Sequence, residues 1–288
     1  MKKGIASRIF DCFNYLFMTA LVLTMLLPFV HVAAVSLSGP GPVMQNRVYL
    51  WPVELNLTTY KKVLFNDVVL ISYKNTIIYT VLGTFVNLAM TASAAYSLAK
   101  KRMIFRRFFT FMVTFTMLFG GGMMPTYLLV QKLGLINSMW SVILPGAIST
   151  WNLLVMRTFF LEIPDSLEES AMIDGGNDIG IFFKIILPLS KASLATIGLF
   201  YAVGHWNSFF SPLIYLNDRN KYPLQIILRS MIIEGNPMST DTPGNDEITV
   251  VQNIKYTVIM VATIPILLVY PFIQKYFVKG VMIGSVKG

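Results

Sequence analysis

The chain has 288 residues, of which 55% are hydrophobic and only 13% charged, whereas a soluble globular domain carries about 25% charged residues; an ordinary soluble enzyme and a disordered chain are both excluded, and an integral membrane protein is indicated. The formal net charge of +9 fits the Lys and Arg surplus of cytoplasmic loops, so no nucleic-acid partner is expected. Cys12 is the single cysteine, which excludes a disulfide scaffold and a cysteine metal or redox pair.

A helix crossing the hydrocarbon core needs about 20 mostly apolar residues and satisfies its own backbone. Six stretches qualify in chain order: 12–37, 73–99, 108–130, 139–160, 192–215 and 254–277. The first is longer than the apolar core of a signal peptide and has no small-residue cleavage site within it, so it reads as a retained span. The loop that follows, 38–72, is rich in Pro, Gly, Asn and Thr, with a short helix expected at 57–65. Its Tyr49, Trp51 and Tyr60, with Tyr222 further on, read as interfacial belt residues; the alternative is a docking surface for an external partner.

Lys2, Lys3 and Arg8 precede the first span, Lys100, Lys101, Arg102, Arg106 and Arg107 follow the second, and Lys275, Lys279 and Lys287 lie in the tail. An even number of spans puts all of these on one side, which the positive-inside rule makes the cytoplasm, with both termini there. In the third span Gly120, Gly121 and Gly122 with Pro125 interrupt the helix, either as a kink relieved by neighbouring helices or as a hinge facing a pore. The second long external loop, 216–253, holds charges of both signs and a short helix at 224–234.

Between the fourth and fifth spans lies a segment too long for a tight connection, and it reads as two short helices around a glycine corner. Ser166 and Glu169 have the spacing of a capping box, and Asp165, Glu168 and Glu169 face the positive end of the first helix. Gly175-Gly176 stops that helix, Asn177 or Asp178 caps the second, and Pro188 ends it. Ile181, Phe182, Ile185 and Ile186 recur at helical spacing. A helix resting on the membrane surface normally opposes Lys and Arg to its apolar face; an acidic first half favours a protein partner.

No phosphate-cradling G-x-x-x-x-G-K-[ST] run, H-E-x-x-H, C-x-x-C or G-x-S-x-G occurs, and the only histidines, His31 and His205, sit in predicted spans. No catalytic residue and no metal site are expected. Asp and Glu keep to loops and span ends, against a proton- or sodium-coupled carrier, so the driving force must come from another component.

Glu169-Ser170-Ala171, then Gly175, then Ile185-Ile186-Leu187-Pro188 resembles the EAA loop, E-A-A-x3-G-x9-I-x-L-P, of permease subunits of binding-protein-dependent ABC importers, with Ser170 as the one departure. Arg157-Thr158-Phe159-Phe160, Ile163-Pro164, Phe182, Lys184 and Trp206-Asn207 resemble the MalG-like sugar branch. The runs 121–127 and 201–210 are similar to its LplC/YtcP group, associated with complex and often acidic oligosaccharides.

The resemblance implies an all-α polytopic membrane protein with six transmembrane helices and the ABC importer type I permease fold. It implies one permease domain over 1–288, its core about 72–276, with a cytoplasmic coupling loop at 161–190. Glu169, Ser170, Ala171, Asp174 and Gly175 would dock on an ATPase, and Ile185, Leu187 and Pro188 would seat the second helix against the chain's own spans. Implied partners are a second permease subunit forming a heterodimer, two ATPase subunits or an ATPase dimer, an extracytoplasmic solute-binding protein, an oligosaccharide and membrane lipid. This chain binds no cofactor; ATP and Mg belong to the ATPase, and the place is the bacterial cytoplasmic membrane. Candidate substrate-path residues are Trp151, Asn152, Trp206, Asn207 and Phe209, with aromatic faces for sugar rings and amides for hydroxyls; packing and interhelical hydrogen bonding are the alternative roles. The other functions weighed are a permease for a non-sugar solute and a stand-alone carrier or membrane-embedded enzyme.

Overall fold

The computed structural model describes residues 5–231, 253–269 and 271. Every regular element among them is helical. The chain runs through α1 (Ile5–Ser36), α2 (Pro40–Met44), α3 (Thr58–Leu64) and α4 (Asp67–Ala99). Then come α5 (Arg106–Leu118), α6 (Met123–Lys132), α7 (Met139–Ile143) with a 3-10 turn at Leu144–Gly146, and α8 (Thr150–Leu161). α9 (Asp165–Ile173) and α10 (Asp178–Ile181) follow, and a π turn at Phe182–Ile186 leads into α11 (Leu187–Leu189) and α12 (Lys191–Trp206). The series closes with α13 (Phe210–Tyr215), α14 (Leu224–Arg229) and α15 (Asn253–Val269).

α1 from Ser7 and α4 are each long and apolar enough to cross a membrane. Three bent pairs reach that length together: α5 with α6 at 114°, α7 with α8 at 54°, and the 178–189 segment with α12 at 83°. The third predicted span is thus two helices, broken where Gly120–Gly122 cannot sustain one, and the fourth breaks at 147–149. α15 begins the sixth predicted span; its stretch beyond 271, the basic tail, Lys2, Lys3 and the charges at 232–252 lie outside the described residues.

Contacts divide the chain into two compact units, Met1–Leu70 with Leu228–Ile266, and Ile71–Ile227 with Leu267–Gly288. In the first, α1 is exposed along most of its length, and only its last turn enters a core, where Ala34 and Val35 pack with Val43, Val48, Val53 and Tyr256. Polar groups tie this end together. Ser36 Oγ and Tyr60 Oη share a hydrogen bond of 2.8 Å, Asn253 Nδ2 donates to Ser38 O at 2.8 Å, and His31 Nδ1 lies 2.7 Å from Tyr49 O. Tyr60 is therefore engaged within its own unit, while Tyr49 and Trp51 remain exposed.

The second unit is organised by α4, which buries Thr76, Asn87 and Thr91 beside Ala92, Ala95 and Tyr96. Its main core joins these last three to Met156 and Phe160 of α8, Ile181, Phe182 and Ile186 of the hairpin's second arm, and Ile197 and Tyr201 of α12. Asn87 Nδ2 donates to Gly146 O at 2.8 Å, Asn87 Oδ1 lies 2.9 Å from His205 Nε2, and Tyr201 Oη accepts the Ser149 N–H at 2.9 Å. His205 is thus a helix–helix tether, and Gly83 leaves room for its ring, which would lie 2.5 Å from an added Cβ.

Candidate functional site

The hairpin of α9 and α10 starts without the expected capping box. α9 begins at Asp165 behind Pro164, with no side-chain cap, and Ser166 lies inside its first turn. Starting two residues early, with Pro164 at the cap position, removes Ser166 from the place where its hydroxyl could accept a free N–H; Asp165 and Glu168 instead meet the dipole. The other end forms as expected. Gly175, at φ +83°, donates its N–H to Met172 O at 3.0 Å, and Gly176 N–H reaches Ala171 O at 2.8 Å. This pair of bonds is the Schellman closure, which satisfies two carbonyls at the helix end. A Cβ on Gly176 would lie 2.6 Å from Ala171 O, whereas Gly175 faces open space. Asn177 then caps α10, its Oδ1 accepting Gly180 N–H at 2.7 Å.

The second arm is anchored by Ile181, Phe182 and Ile186, all buried. Ile185 and Leu187 are partly buried against the same core, and Pro188 is exposed. The helix ends at Leu189, one residue past Pro188, after a π turn at Phe182–Ile186, and the 83° bend falls at Ser190. The first arm is different: α9 has no buried residue, and only Ala171 and Met172 lean on the core. At the corner Ile173 is 86% exposed, and Ile179 beyond it is also exposed.

The hairpin's carboxylates fall into two sets. Glu168 Oε2 accepts from Lys100 Nζ at 2.6 Å and Asp178 Oδ1 from the same ammonium at 2.8 Å; Asp165 pairs with Lys101, and Asp178 also with Arg102. Glu169 and Asp174 are exposed, and among the described residues no cation pairs with either. Burial would pull the Lys100 ammonium down, but its hydrogen bonds to Asp178 and Glu168 outweigh that and hold it above its ordinary value. The bond from Lys100 holds the Asp178 carboxyl below its usual range, against a smaller effect of burial. Both groups therefore carry charge through neutral pH. Arg157, from α8, donates its Nε to Leu98 O at 3.0 Å and so satisfies a carbonyl at the end of α4.

Of the substrate-path candidates, Trp151 is exposed in the first turn of α8, while its neighbour Asn152 is buried. Trp206, half-buried at the end of α12, meets the Tyr73 ring edge-on at 5.9 Å. Asn207 caps that helix, with Nδ2 donating to Val203 O at 2.9 Å and Oδ1 accepting from Gln225 at 3.4 Å. Phe209 is half-buried just before α13.

An outward acidic corner on an all-helical, multiply broken bundle agrees with the comparisons. Residues 72–283 match the family described as "Binding-protein-dependent transport system inner membrane component". The chain belongs to that family. Such members are permease subunits of ABC importers, not enzymes, and function with a partner permease, an ATPase and a solute-binding protein. The chain is 46% identical over 284 residues to the Bacillus subtilis polygalacturonan/rhamnogalacturonan transport system permease protein YtcP, covering 98% of this chain and 99% of that one. It is likewise 46% identical over 285 residues to B. subtilis protein LplC, with 98% and 96% coverage. A crystal structure of a bacterial ABC transporter involved in the import of the acidic polysaccharide alginate superposes with a TM-score of 0.88 at 33% identity, covering 96% of this chain and 99% of that one. The fold is the ABC type I permease fold.

Sequence inspection found the family through the hairpin but missed Lys100, Asn87 and Arg157 as structural ties. Lys100 looked like part of a topology signal, and its partners are 68 and 78 residues away. An Asn within an apolar run gave the one available hint for Asn87.

Proposed function

We propose that this chain is one half of a heterodimeric permease that carries an oligosaccharide, and in particular an acidic polysaccharide fragment such as a pectin or alginate oligosaccharide, across the bacterial cytoplasmic membrane. It forms a single permease domain over 1–288, core about 72–276, crossing six times with both termini in the cytoplasm. An extracytoplasmic binding protein delivers the solute, and two ATPase subunits or an ATPase dimer bind ATP and Mg. The substrate class is supported by the names of YtcP and the alginate importer.

In this reading the 161–190 loop is the coupling element. Glu169, Ser170, Ala171, Asp174 and Gly175 dock on the ATPase, and Ile185, Leu187 and Pro188 belong to the arm that returns to the bundle. One observation carries it: the corner presents Glu169, Asp174 and Ile173 outward, while the second arm is rooted in the core that also contains α4, α8 and α12. A corner closed by two backbone bonds resists deformation, so a push on it moves the helices behind it. Trp151, Asn152, Trp206, Asn207 and Phe209 are the residues we assign to the solute path.

The test uses the complete importer in proteoliposomes with its loaded binding protein. Glu169→Lys and Gly175→Trp should leave binding-protein docking intact and reduce ATPase co-purification and uptake by about 10-fold or more, the order of one lost charge-assisted contact or more. Uptake at the unmodified rate in both variants would overturn the coupling assignment.

A further inference from the structure

The arm that carries the docking residues is the less firmly rooted of the two. α9 holds Glu169, Ser170 and Ala171, yet has no buried residue, and its grip on its own subunit is largely ionic. Lys100 is the centre of that grip. Its side chain is 11% exposed, its Nζ lies 4.4 Å from the centroid of the Tyr96 ring, and it donates to one carboxylate on each hairpin arm. It also follows the last residue of α4, where a positive charge meets the negative end of the helix dipole. One ammonium therefore joins three helix ends: the end of α4, the first arm through Glu168 and the start of the second through Asp178.

A basic run that served only to orient the chain would hold its charges in water, and Arg107 does so. Lys100, Lys101 and Arg102 instead spend theirs on Glu168, Asp165 and Asp178. Exposed ion pairs are individually weak, and the Lys101–Asp165 pair is of that kind. The Lys100–Glu168 pair is mostly shielded, at 11% and 22% side-chain exposure, so screening is reduced and loss of the cation would leave two carboxylates close together.

Resting on the coupling assignment above, we propose that Lys100 is a positioning residue for energy coupling: by bridging Glu168 and Asp178 at the end of α4 it fixes the first arm to the span, so that displacement of the docking corner is passed to α4 instead of being absorbed in a loose hairpin. Lys101 and Arg102 reinforce the same arrangement, the latter also donating to Met172 Sδ at 3.3 Å.

The experiment reads ATP hydrolysed per solute imported by the complete importer in proteoliposomes. Lys100→Met should keep ATPase co-purification and raise that ratio about 5-fold or more, the lower end of ordinary coupling energies. Lys100→Arg should stay near the unmodified ratio, and Lys100→Glu combined with Glu168→Lys should recover part of the loss. If Lys100→Met does not assemble, Glu168→Gln with Asp178→Asn removes the bridge from the hairpin side and should raise the ratio equally. An unchanged ratio in assembled Lys100→Met, or in that double variant, overturns the proposal. The two assignments fail separately. A normal ratio in Lys100→Met beside defective Glu169→Lys and Gly175→Trp sinks only the bridge, whereas normal uptake in those two sinks the coupling corner itself.

Discussion

Two breaks in the helical bundle satisfy their backbones in opposite ways. At the α7/α8 break, Gly146 O accepts from Asn87 and Ser149 N–H donates to Tyr201, whose hydroxyl also bonds Thr91 at 2.7 Å. At the sharper α5/α6 break, the bonds are local, from Phe119 N–H to Phe115 O and from Thr126 Oγ1 to Gly122 O. Among the described residues no other helix donates to or accepts from 119–122, and a Cβ on Gly120 or Gly121 would meet nothing within 4 Å. Free carbonyls at a helix end cannot face lipid tails without a cost of several kcal/mol. The first break is therefore a fixed bend held by its own subunit; on the proposed topology, the second needs water or a neighbouring chain to complete it.

The largest test of that contrast is Asn87→Ala. It takes the partner from the half-buried His205 ring and from the carbonyl of the exposed Gly146 together, at roughly 2–4 kcal/mol in all. The thermal midpoint of the assembled complex should fall clearly, and an unchanged midpoint would mean the bend stands without the tether. Gly83→Ala should cost somewhat less, about 1–3 kcal/mol in all, because its methyl drives the His205 ring off Asn87. Combined with Asn87→Ala it should cost less than the sum, since both act on one contact. The smallest effect belongs to Gly121→Ala, whose stability should stay within about 0.5 kcal/mol of the parent. A loss as large as that of Asn87→Ala would show a packed break and erase the distinction.

Much of this was legible in the residues themselves. Apolar runs located the long helices, and Gly175-Gly176 located the corner because the Schellman closure demands a left-handed residue there. The capping box at Ser166 and Glu169 was not formed, since the helix starts two residues earlier, behind Pro164, whose ring already sets the backbone there. Pro188 read as a terminator, and the helix does end one residue past it, at Leu189; the π turn just ahead of it is what spacing does not announce. The candidate site was readable where its chemistry is local, at Glu169, Asp174 and Gly175. The tethers were not, because Asn87 with Gly146 and Lys100 with Glu168 are joined only by tertiary packing, 59 and 68 residues apart.

That separation along the chain has an implication for biogenesis. Lys100, Lys101 and Arg102 leave the ribosome 64 to 78 residues before the carboxylates that will bind them. On the proposed topology, the nascent chain thus offers the translocon a bare cluster of cations at the moment when the first two spans are being oriented. The later arrival of Asp165, Glu168 and Asp178 then converts that temporary anchor into a joint of the finished protein.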